Sequence, residues 1–121
     1  MPAEYLVIWE FHVFEVHRAA FESAYGPCGA WVRLFRRDPA FLATDLLRDD
    51  SSKNDSSRNG KNHNAINPDS TRYVTVDRWQ SRQAYELFRQ THAAEYQEID
   101  ARCAEWTDRE VCIGSYFAPP V

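Results

Sequence analysis

The chain has 121 residues and a formal net charge of −4 at pH 7, with 44% apolar, 26% charged and 14% aromatic residues. This length fits one domain with a single hydrophobic core, so we expect one domain over residues 1–121. The composition is that of a soluble globular protein, and the acidic balance excludes the basic surface that nucleic acid requires.

The N-terminal sequence predicts neither a secretory signal nor a membrane helix. Its apolar run from Tyr5 to Trp9 is interrupted by Glu10, far short of the ~20 residues that a membrane helix needs. The three cysteines are an odd number and lack C-x-x-C spacing. We therefore expect a reduced, cytoplasmic protein with no membrane partner. A metal site is not expected either, because no ligand spacing connects the available side chains, which are His12, His17, Cys28 and Cys112.

Residues Glu4 to Val16 are rich in β-branched and aromatic types and predict the first strand. Alternation places apolar side chains on both faces of this strand. Because such a strand is usually buried on both faces, and a second copy of the same sheet is the simplest cover in a small chain, we expect a homodimer. Glu10 and His12 share one face and need polar partners, for which Arg48 or Arg78 is expected.

The region from Arg18 to Arg37 has helical spacing on both sides of Gly26-Pro27. Since proline removes a backbone donor and clashes with the preceding turn, two helical segments are predicted. Asp38-Pro39 ends the region, and Phe41 to Asp49 alternates as a second strand.

The segment from Asp50 to Thr71 is polar, with Ala65 and Ile66 as its only apolar residues. It buries too little apolar surface to offset the entropy of ordering it. We interpret it as a mobile insertion between the second and third strands. It is either a functional lid or a tolerated insertion, and the lack of an aromatic anchor favours the second.

A third strand, Tyr73 to Trp79, leads into a helix with Ser81 as its N-cap. One face of this helix carries a stripe with steps of 3, 4, 4, 3 and 4 residues, typical of a 3.6-residue period. The stripe consists of Tyr85, Phe88, His92, Tyr96, Ile99 and Cys103.

The C-terminal part predicts one helical turn and a fourth strand. Thr107 to Glu110 fits a capping box, and Val111 to Phe117 reads as a strand with Gly114 at a bulge. The order is β-α-β-β-α-β, which predicts an α+β, ferredoxin-like fold in which helices cover one face of a four-stranded antiparallel sheet.

In this order the chain resembles the antibiotic biosynthesis monooxygenase (ABM) domain of the dimeric α/β-barrel superfamily. The segments that carry the resemblance are EYLVIWEFHV, AAFESAYGPCGAWVRLFRRDPAFLATDLLRD, RYVTVDRWQSRQAYELFRQTHAAEY and REVCIGSYF. The resemblance implies that two subunits pack sheet against sheet into an α/β barrel. It also implies a pocket in each subunit between the sheet and the helices.

The resemblance separates two branches of the family. In its cofactor-independent monooxygenases a Trp at the end of the third strand is joined by a Tyr on the next helix, and Trp79 and Tyr85 match these places. The Asn of that strand corresponds to Thr75, which is a departure. The haem-degrading branch needs an Asn on the first strand and a His about ten residues after the Trp. This chain has no such Asn and has Phe88-Arg89 at the second place, which argues against haem degradation.

The candidate residues each have a functional and a structural interpretation. His92 is either a base for a phenol or hydroquinone, since a pKa near 6.5 suits that work, or a hydrogen-bonded core histidine. Trp79 and Tyr85 either hold a planar ring, with the Tyr hydroxyl on a substrate oxygen, or fill the core. The predicted catalytic residues are His92 and Tyr85, and the predicted substrate-binding residues are Trp79, Trp31, Tyr25, Phe88 and Tyr96.

The leading hypothesis is a cofactor-independent monooxygenase that acts on an aromatic or quinol-type small molecule. The alternative is a non-catalytic dimeric ligand-binding or stress-response module, and a third hypothesis is a structural dimer with a filled core. A cavity bordered by Trp79, Tyr85 and His92 would favour the first two hypotheses over the third.

Overall fold

The computed structural model describes residues 3–50 and 70–119. The sheet has the order β2-β3-β1-β4, and every neighbouring pair is antiparallel. This confirms the predicted α+β, ferredoxin-like fold. The strands are β1 (Glu4–Phe14), β2 (Phe41–Arg48), β3 (Ser70–Trp79) and β4 (Thr107–Ala118), and the helices are α1 (Arg18–Tyr25), α2 (Ala30–Phe35), α3 (Arg82–Thr91) and α4 (Ala93–Cys103).

The predicted helical turn at the start of the C-terminal part is wrong. Thr107 to Glu110 already belongs to β4, and a short 3-10 turn, Ala104–Trp106, precedes it. Thr107 pairs with Val13 of β1, so the ladder supplies the hydrogen bonds that a local capping box would have supplied. Strand β1 ends at Phe14 rather than Val16, at its last pairing with β3.

The predicted aromatic helix is two helices. His92 has φ −113° and ψ 29°, which separates α3 from α4. The N-cap prediction is confirmed, since Ser81 Oγ accepts a hydrogen bond of 3.1 Å from the Ala84 amide. Across the break only part of the stripe is buried, namely Phe88, Ile99 and Cys103.

The two faces of the sheet differ in what they carry. Along β3, the alternate residues from Thr71 to Trp79 are buried towards the helices, and those from Arg72 to Arg78 are only partly buried on the opposite side. We call this opposite side the open face. The helix-facing layer is built mainly from aromatic rings, among which Trp79 and Phe21 have no exposed surface. Burial of each such ring contributes roughly 2–3 kcal/mol.

A polar group lies on the open face. His12 Nε2 is 2.7 Å from Glu10 Oε2, and Arg72 Nη1 is 3.8 Å from Glu10 Oε1. The cationic partner is therefore Arg72 rather than the expected Arg48 or Arg78. The register explains this, because His12 is opposite Arg72 in the β1–β3 ladder.

Most of the predicted insertion, residues 51–69, lies outside the described residues. Within residues 3–50 and 70–119, no helix has both the length and the apolar character that crossing a membrane requires.

A tight corner joins α1 to α2 and sets the position of Trp31, near the start of α2. The Gly29 amide donates a hydrogen bond of 3.0 Å to the Gly26 carbonyl. A Cβ atom on Gly29 would lie 2.2 Å from the Ala24 carbonyl oxygen and 2.3 Å from that of Ser23. Because these neighbours are backbone atoms, only glycine fits without moving a helix.

We predict that Gly29→Ala lowers the free energy of unfolding by about 2 kcal/mol or more, because the backbone must shift to admit the methyl group. Gly114→Ala is the control. Its Cβ would lie 2.9 Å from the hydroxyl of Tyr116, an exposed side chain that can move, so we expect a loss below about 1 kcal/mol. Urea unfolding with an unchanged slope measures both. Equal stabilities of the two variants would contradict the tight corner.

Candidate functional site

A narrow cleft lies between the helix-facing side of the sheet and the helices α2 and α4. The cavity itself is small, about 30 Å³, and the space between its walls reaches about 380 Å³ only when the part that opens to solvent is counted. All four strands contribute to it, so the site depends on the complete sheet. The lining residues are Trp9, Phe11, Tyr25, Trp31, Phe35, Thr44, Thr75, Asp77, Tyr96, Asp100 and Glu110.

The floor of the cleft carries a buried carboxylate. Asp77 on β3 is opposite Thr44 on β2, and Thr44 Oγ1 donates a hydrogen bond of 2.7 Å to Asp77 Oδ1. Burial raises the pKa of Asp77 to about 6, while the hydrogen bond from Thr44 opposes the rise. In the described part of the chain no cation pairs with this carboxylate. A buried acid with a raised pKa, in a cleft, is typical of a functional site.

The upper wall is formed by aromatic rings on two helices. The Trp31 ring on α2 meets the Tyr96 ring on α4 edge to face, with centroids 4.8 Å apart, and lies 5.9 Å from that of Tyr25. Trp31 Nε1 is buried beside the Tyr25 hydroxyl and the Cys103 thiol, and hydrogen bonding from its N–H opposes the rise in the pKa of both groups. This donor is therefore shared with neighbouring side chains of the protein.

Arg89 joins the aromatic wall to α3. Its guanidinium carbon lies 4.0 Å from the centroid of the Tyr96 ring, and its Nη1 donates a hydrogen bond of 2.8 Å to the Tyr85 hydroxyl. Burial raises the pKa of Tyr85 and of Tyr96, although the Arg89 charge opposes it in both. Both phenols are therefore neutral donors near neutral pH, and Arg89 holds Tyr96 in place.

Of the residues predicted for substrate binding, the structure brings three to the cleft: Trp31, Tyr25 and Tyr96. Trp79 and Phe88 lie in the hydrophobic core. Trp79 has no exposed surface and packs edge-on against Phe41 at 5.2 Å.

The two predicted catalytic residues also lie away from the cleft lining. Tyr85 packs against Trp79, with ring centroids 5.5 Å apart. The His92 ring lies 4.8 Å from that of Phe88, and its Nδ1 is 3.8 Å from Glu95 Oε1. The described cleft is therefore not bordered by the Trp79, Tyr85 and His92 set.

Sequence reasoning missed the polar floor. A signal was present, because alternation places Thr75 and Asp77 on the same face of β3 as Trp79, which is the face buried under the helices. Two polar residues on such a face mark a departure from a plain core. Thr44 and Glu110 have no comparable signal, since their place in the cleft depends on strand pairing.

We predict that Asp77→Asn stabilises the protein at neutral and alkaline pH. The folded protein holds the Asp77 proton up to about pH 6, whereas the unfolded chain releases it near 3.8. Stability from this group is thus complete below about pH 4 and is lost as the pH rises through 6. The rise from 3.8 to about 6 corresponds to about 3 kcal/mol.

Chemical denaturation from pH 4 to 8 tests this prediction. The gain of Asp77→Asn over wild type is expected to grow with pH and to level off above pH 7. Asp45→Asn on β2 is the control, since that side chain is half exposed and 3.4 Å from Arg78. A gain that does not change with pH would contradict the burial of an ionisable Asp77.

No protein-family model matches the chain, and no curated protein matches it by sequence. Solved structures do match. SnoaB, a cofactor-independent oxygenase from Streptomyces nogalater, is 18% identical with a TM-score of 0.62, covering 98% of this chain and 96% of SnoaB. A Bordetella bronchiseptica protein assigned to the antibiotic biosynthesis monooxygenases is 20% identical with a TM-score of 0.62, covering 98% of both chains.

A third match carries a ligand. The monooxygenase ActVA-Orf6 of Streptomyces coelicolor, in complex with nanaomycin D, is 15% identical with a TM-score of 0.61, covering 98% of this chain and 88% of that one. These likenesses extend over nearly the whole chain. The chain therefore has the fold of the antibiotic biosynthesis monooxygenase proteins, as its sequence resemblance predicted.

Proposed function

We propose that the protein is a monooxygenase that binds a small aromatic, quinol-type molecule in the cleft and oxidises it with dioxygen, without a cofactor of its own. The observation that carries the proposal is the buried Asp77 carboxylate on the floor of an aromatic cleft. The likeness to SnoaB, described as a cofactor-independent oxygenase, supports it.

Asp77 acts as the base. With a pKa of about 6 it is mostly ionised at pH 7, and its conjugate acid is still strong enough to return the proton. Thr44 holds one carboxylate oxygen through its 2.7 Å hydrogen bond and leaves the other for the substrate. This assigns the base to β3 instead of His92, because Asp77 lines the cleft and His92 does not.

The aromatic wall binds the ring. A flat molecule enters from the open side of the cleft and lies against the rings of Trp31 and Tyr96, and these walls must move apart to admit it because the cavity itself is only about 30 Å³. Asp77 is buried, and this burial limits the access of water to the carbanion that forms beside it.

The oxygen step needs only the substrate, dioxygen and this base. Asp77 takes a proton from a ring CH₂ group that is activated by an adjacent carbonyl, which leaves a resonance-stabilised carbanion. The carbanion passes one electron to dioxygen, and the resulting radical and superoxide combine into a peroxide. The peroxide takes back the proton from Asp77 and loses water, so that CH₂ and O₂ become C=O and H₂O.

We predict that Asp77→Asn lowers the rate of oxygen uptake by about 100-fold or more, the usual contribution of a general base. The measurement is oxygen consumption with anthrone-type ketones and naphthohydroquinones. The wild-type rate is expected to rise with pH through about 6, as Asp77 ionises. Asp45→Asn on β2 is the matched control and is expected to keep the wild-type rate.

Full activity of Asp77→Asn would contradict the assignment of Asp77 as the base. The alternative function is a non-catalytic dimeric ligand-binding or stress-response module of the same fold. That alternative gains support if these compounds bind in the cleft and no oxygen is consumed.

We further propose that two copies pack through their open faces. The alternate residues of β3 on this face include Val74 and Val76, which are partly buried, and the face also carries Leu47 and Tyr116, which are half exposed. None of the described helices covers these side chains. A second copy of the sheet would bury them and close the α/β barrel that the sequence resemblance implies.

We predict that the protein sediments as a dimer of about 28 kDa, twice the chain mass of 14.1 kDa. Val76→Lys places a charge in the middle of the open face and is expected to give a folded monomer. Leu87→Lys on α3 is the control, because Leu87 is 62% exposed and lies on a helix, away from the open face. A wild-type monomer at low micromolar concentration would refute the dimer.

A further inference from the structure

The cleft is closed too tightly for the ring that it is proposed to bind. Its cavity is about 30 Å³, whereas a cavity that holds benzene measures roughly 150 Å³. One wall must therefore move. The floor is a hydrogen-bonded antiparallel sheet in which β1 and β3 each have a neighbour on both sides, so the floor is the fixed wall. The moving wall is then one of the two helices that line the cleft, α2 or α4.

The two helices differ in how firmly they are held. Four of the six residues of α2 are buried, namely Trp31, Val32, Leu34 and Phe35. Only two of the eleven residues of α4 are buried, Ile99 and Cys103. Because buried apolar side chains supply most of the free energy that holds a helix on its sheet, α4 is the wall that moves at lower cost.

The backbone is broken on both sides of α4. His92, which separates it from α3, has φ −113° and ψ 29°, and the 3-10 turn Ala104–Trp106 separates it from β4. Such breaks allow a helix to change its angle while its internal hydrogen bonds stay formed. The helix can therefore move as one piece, and Tyr96, which lines the cleft, moves with it.

Polar contacts hold α4 on two sides. Arg37, which follows α2, places Nη1 2.9 Å from Glu95 Oε2 on α4, and both side chains are about half exposed. On the other side, the Arg89 guanidinium of α3 lies 4.0 Å from the centroid of the Tyr96 ring, and the Asp100 charge acts on it. Because water and salt compete with an exposed ion pair, the Arg37–Glu95 pair is the contact that opens most easily.

We propose that α4 is a gate for the cleft. It lifts between the breaks at His92 and Ala104–Trp106 to admit and release the ligand, and the Arg37–Glu95 pair holds it closed. This rests on the proposed function in that the gate serves the same ring site. It adds control of entry, and closure behind the ligand keeps water from the base.

Cys103 reports the opening without any ligand, because this thiol at the end of α4 is buried while the helix is closed. Labelling with iodoacetamide, followed by peptide mass spectrometry, measures its exposure. The exposed Cys28 and Cys112 serve as internal references. Glu95→Gln is expected to speed the labelling of Cys103 about two- to fivefold, the usual effect of losing an exposed ion pair.

Glu86→Gln is the matched control, since it removes another exposed ion pair of 2.9 Å, to Arg82 on α3. It is expected to leave the Cys103 rate unchanged. Labelling in urea below the unfolding transition separates gate opening from global unfolding, because a local opening exposes little surface and depends weakly on urea. Equal Cys103 rates in Glu95→Gln and wild type, or a rate that follows global unfolding, would overturn the gate.

Passage through the gate is measured by stopped-flow quenching of tryptophan fluorescence with dihydroxyanthraquinone, a flat and already oxidised probe. Glu95→Gln is expected to raise the association and dissociation rate constants by the same two- to fivefold factor and to leave Kd unchanged, since the probe crosses the gate in both directions. Added salt is expected to accelerate wild type and not Glu95→Gln.

A changed Kd with an unchanged association rate would mean that Glu95 acts in binding, and would overturn the gate. Failure of the probe to bind either protein would count against the proposed ring site, and the Cys103 labelling then decides the gate by itself. The two proposals therefore fail in different ways.

Discussion

Strand pairing forces a carboxylate into the interior of this protein. Asp77 lies on β3, whose two neighbours β1 and β2 fix its register, and the period of two places every second side chain under the helices. Asp77 cannot turn to the open face without carrying Trp79 and Tyr73 with it. Burial then raises its pKa, and Thr44, which is opposite it on β2, donates a hydrogen bond to it. The buried Asp77 carboxylate therefore forms part of the cleft floor.

The aromatic residues divide into two functions. Trp79, Phe88 and Phe41 lie in the core away from the cleft lining, with the Trp79 ring 5.0 Å from that of Phe88 and 5.2 Å from that of Phe41. Trp31 and Tyr96 lie on α2 and α4 and line the cleft. The packed layer stabilises the fold, and the cleft wall presents ring surface that a ligand can contact. The tight corner at Gly29, before α2, sets the position of Trp31 beside the cleft.

The charged residues of the open face and of the cleft also differ in how they are paired. On the open face, Glu10 pairs with His12 and Arg72, and Arg72 also contacts Asp49 at 2.6 Å. The buried His12 Nδ1 has no hydrogen-bond partner among the described residues. In the cleft, Asp77 is buried without a cationic partner among the described residues, whereas the Asp100 charge acts on the Arg89 guanidinium. A buried, unpaired carboxylate is costly for stability and is expected where binding or catalysis is the property under selection.

The sequence by itself determined the element order, the break at Gly26-Pro27 and the Ser81 cap, because these depend on local backbone chemistry and on the spacing of apolar residues. The sequence predicted a helical turn at Thr107 where the structure has a strand, because pairing with β1 outweighs a local cap. Only the tertiary structure decided which aromatic residues are core and which line the cleft. The spacing of aromatic residues along a helix predicts which side of the helix is buried, but it does not predict which rings border a cleft. The floor of this cleft is assembled from four strands that are distant in the chain.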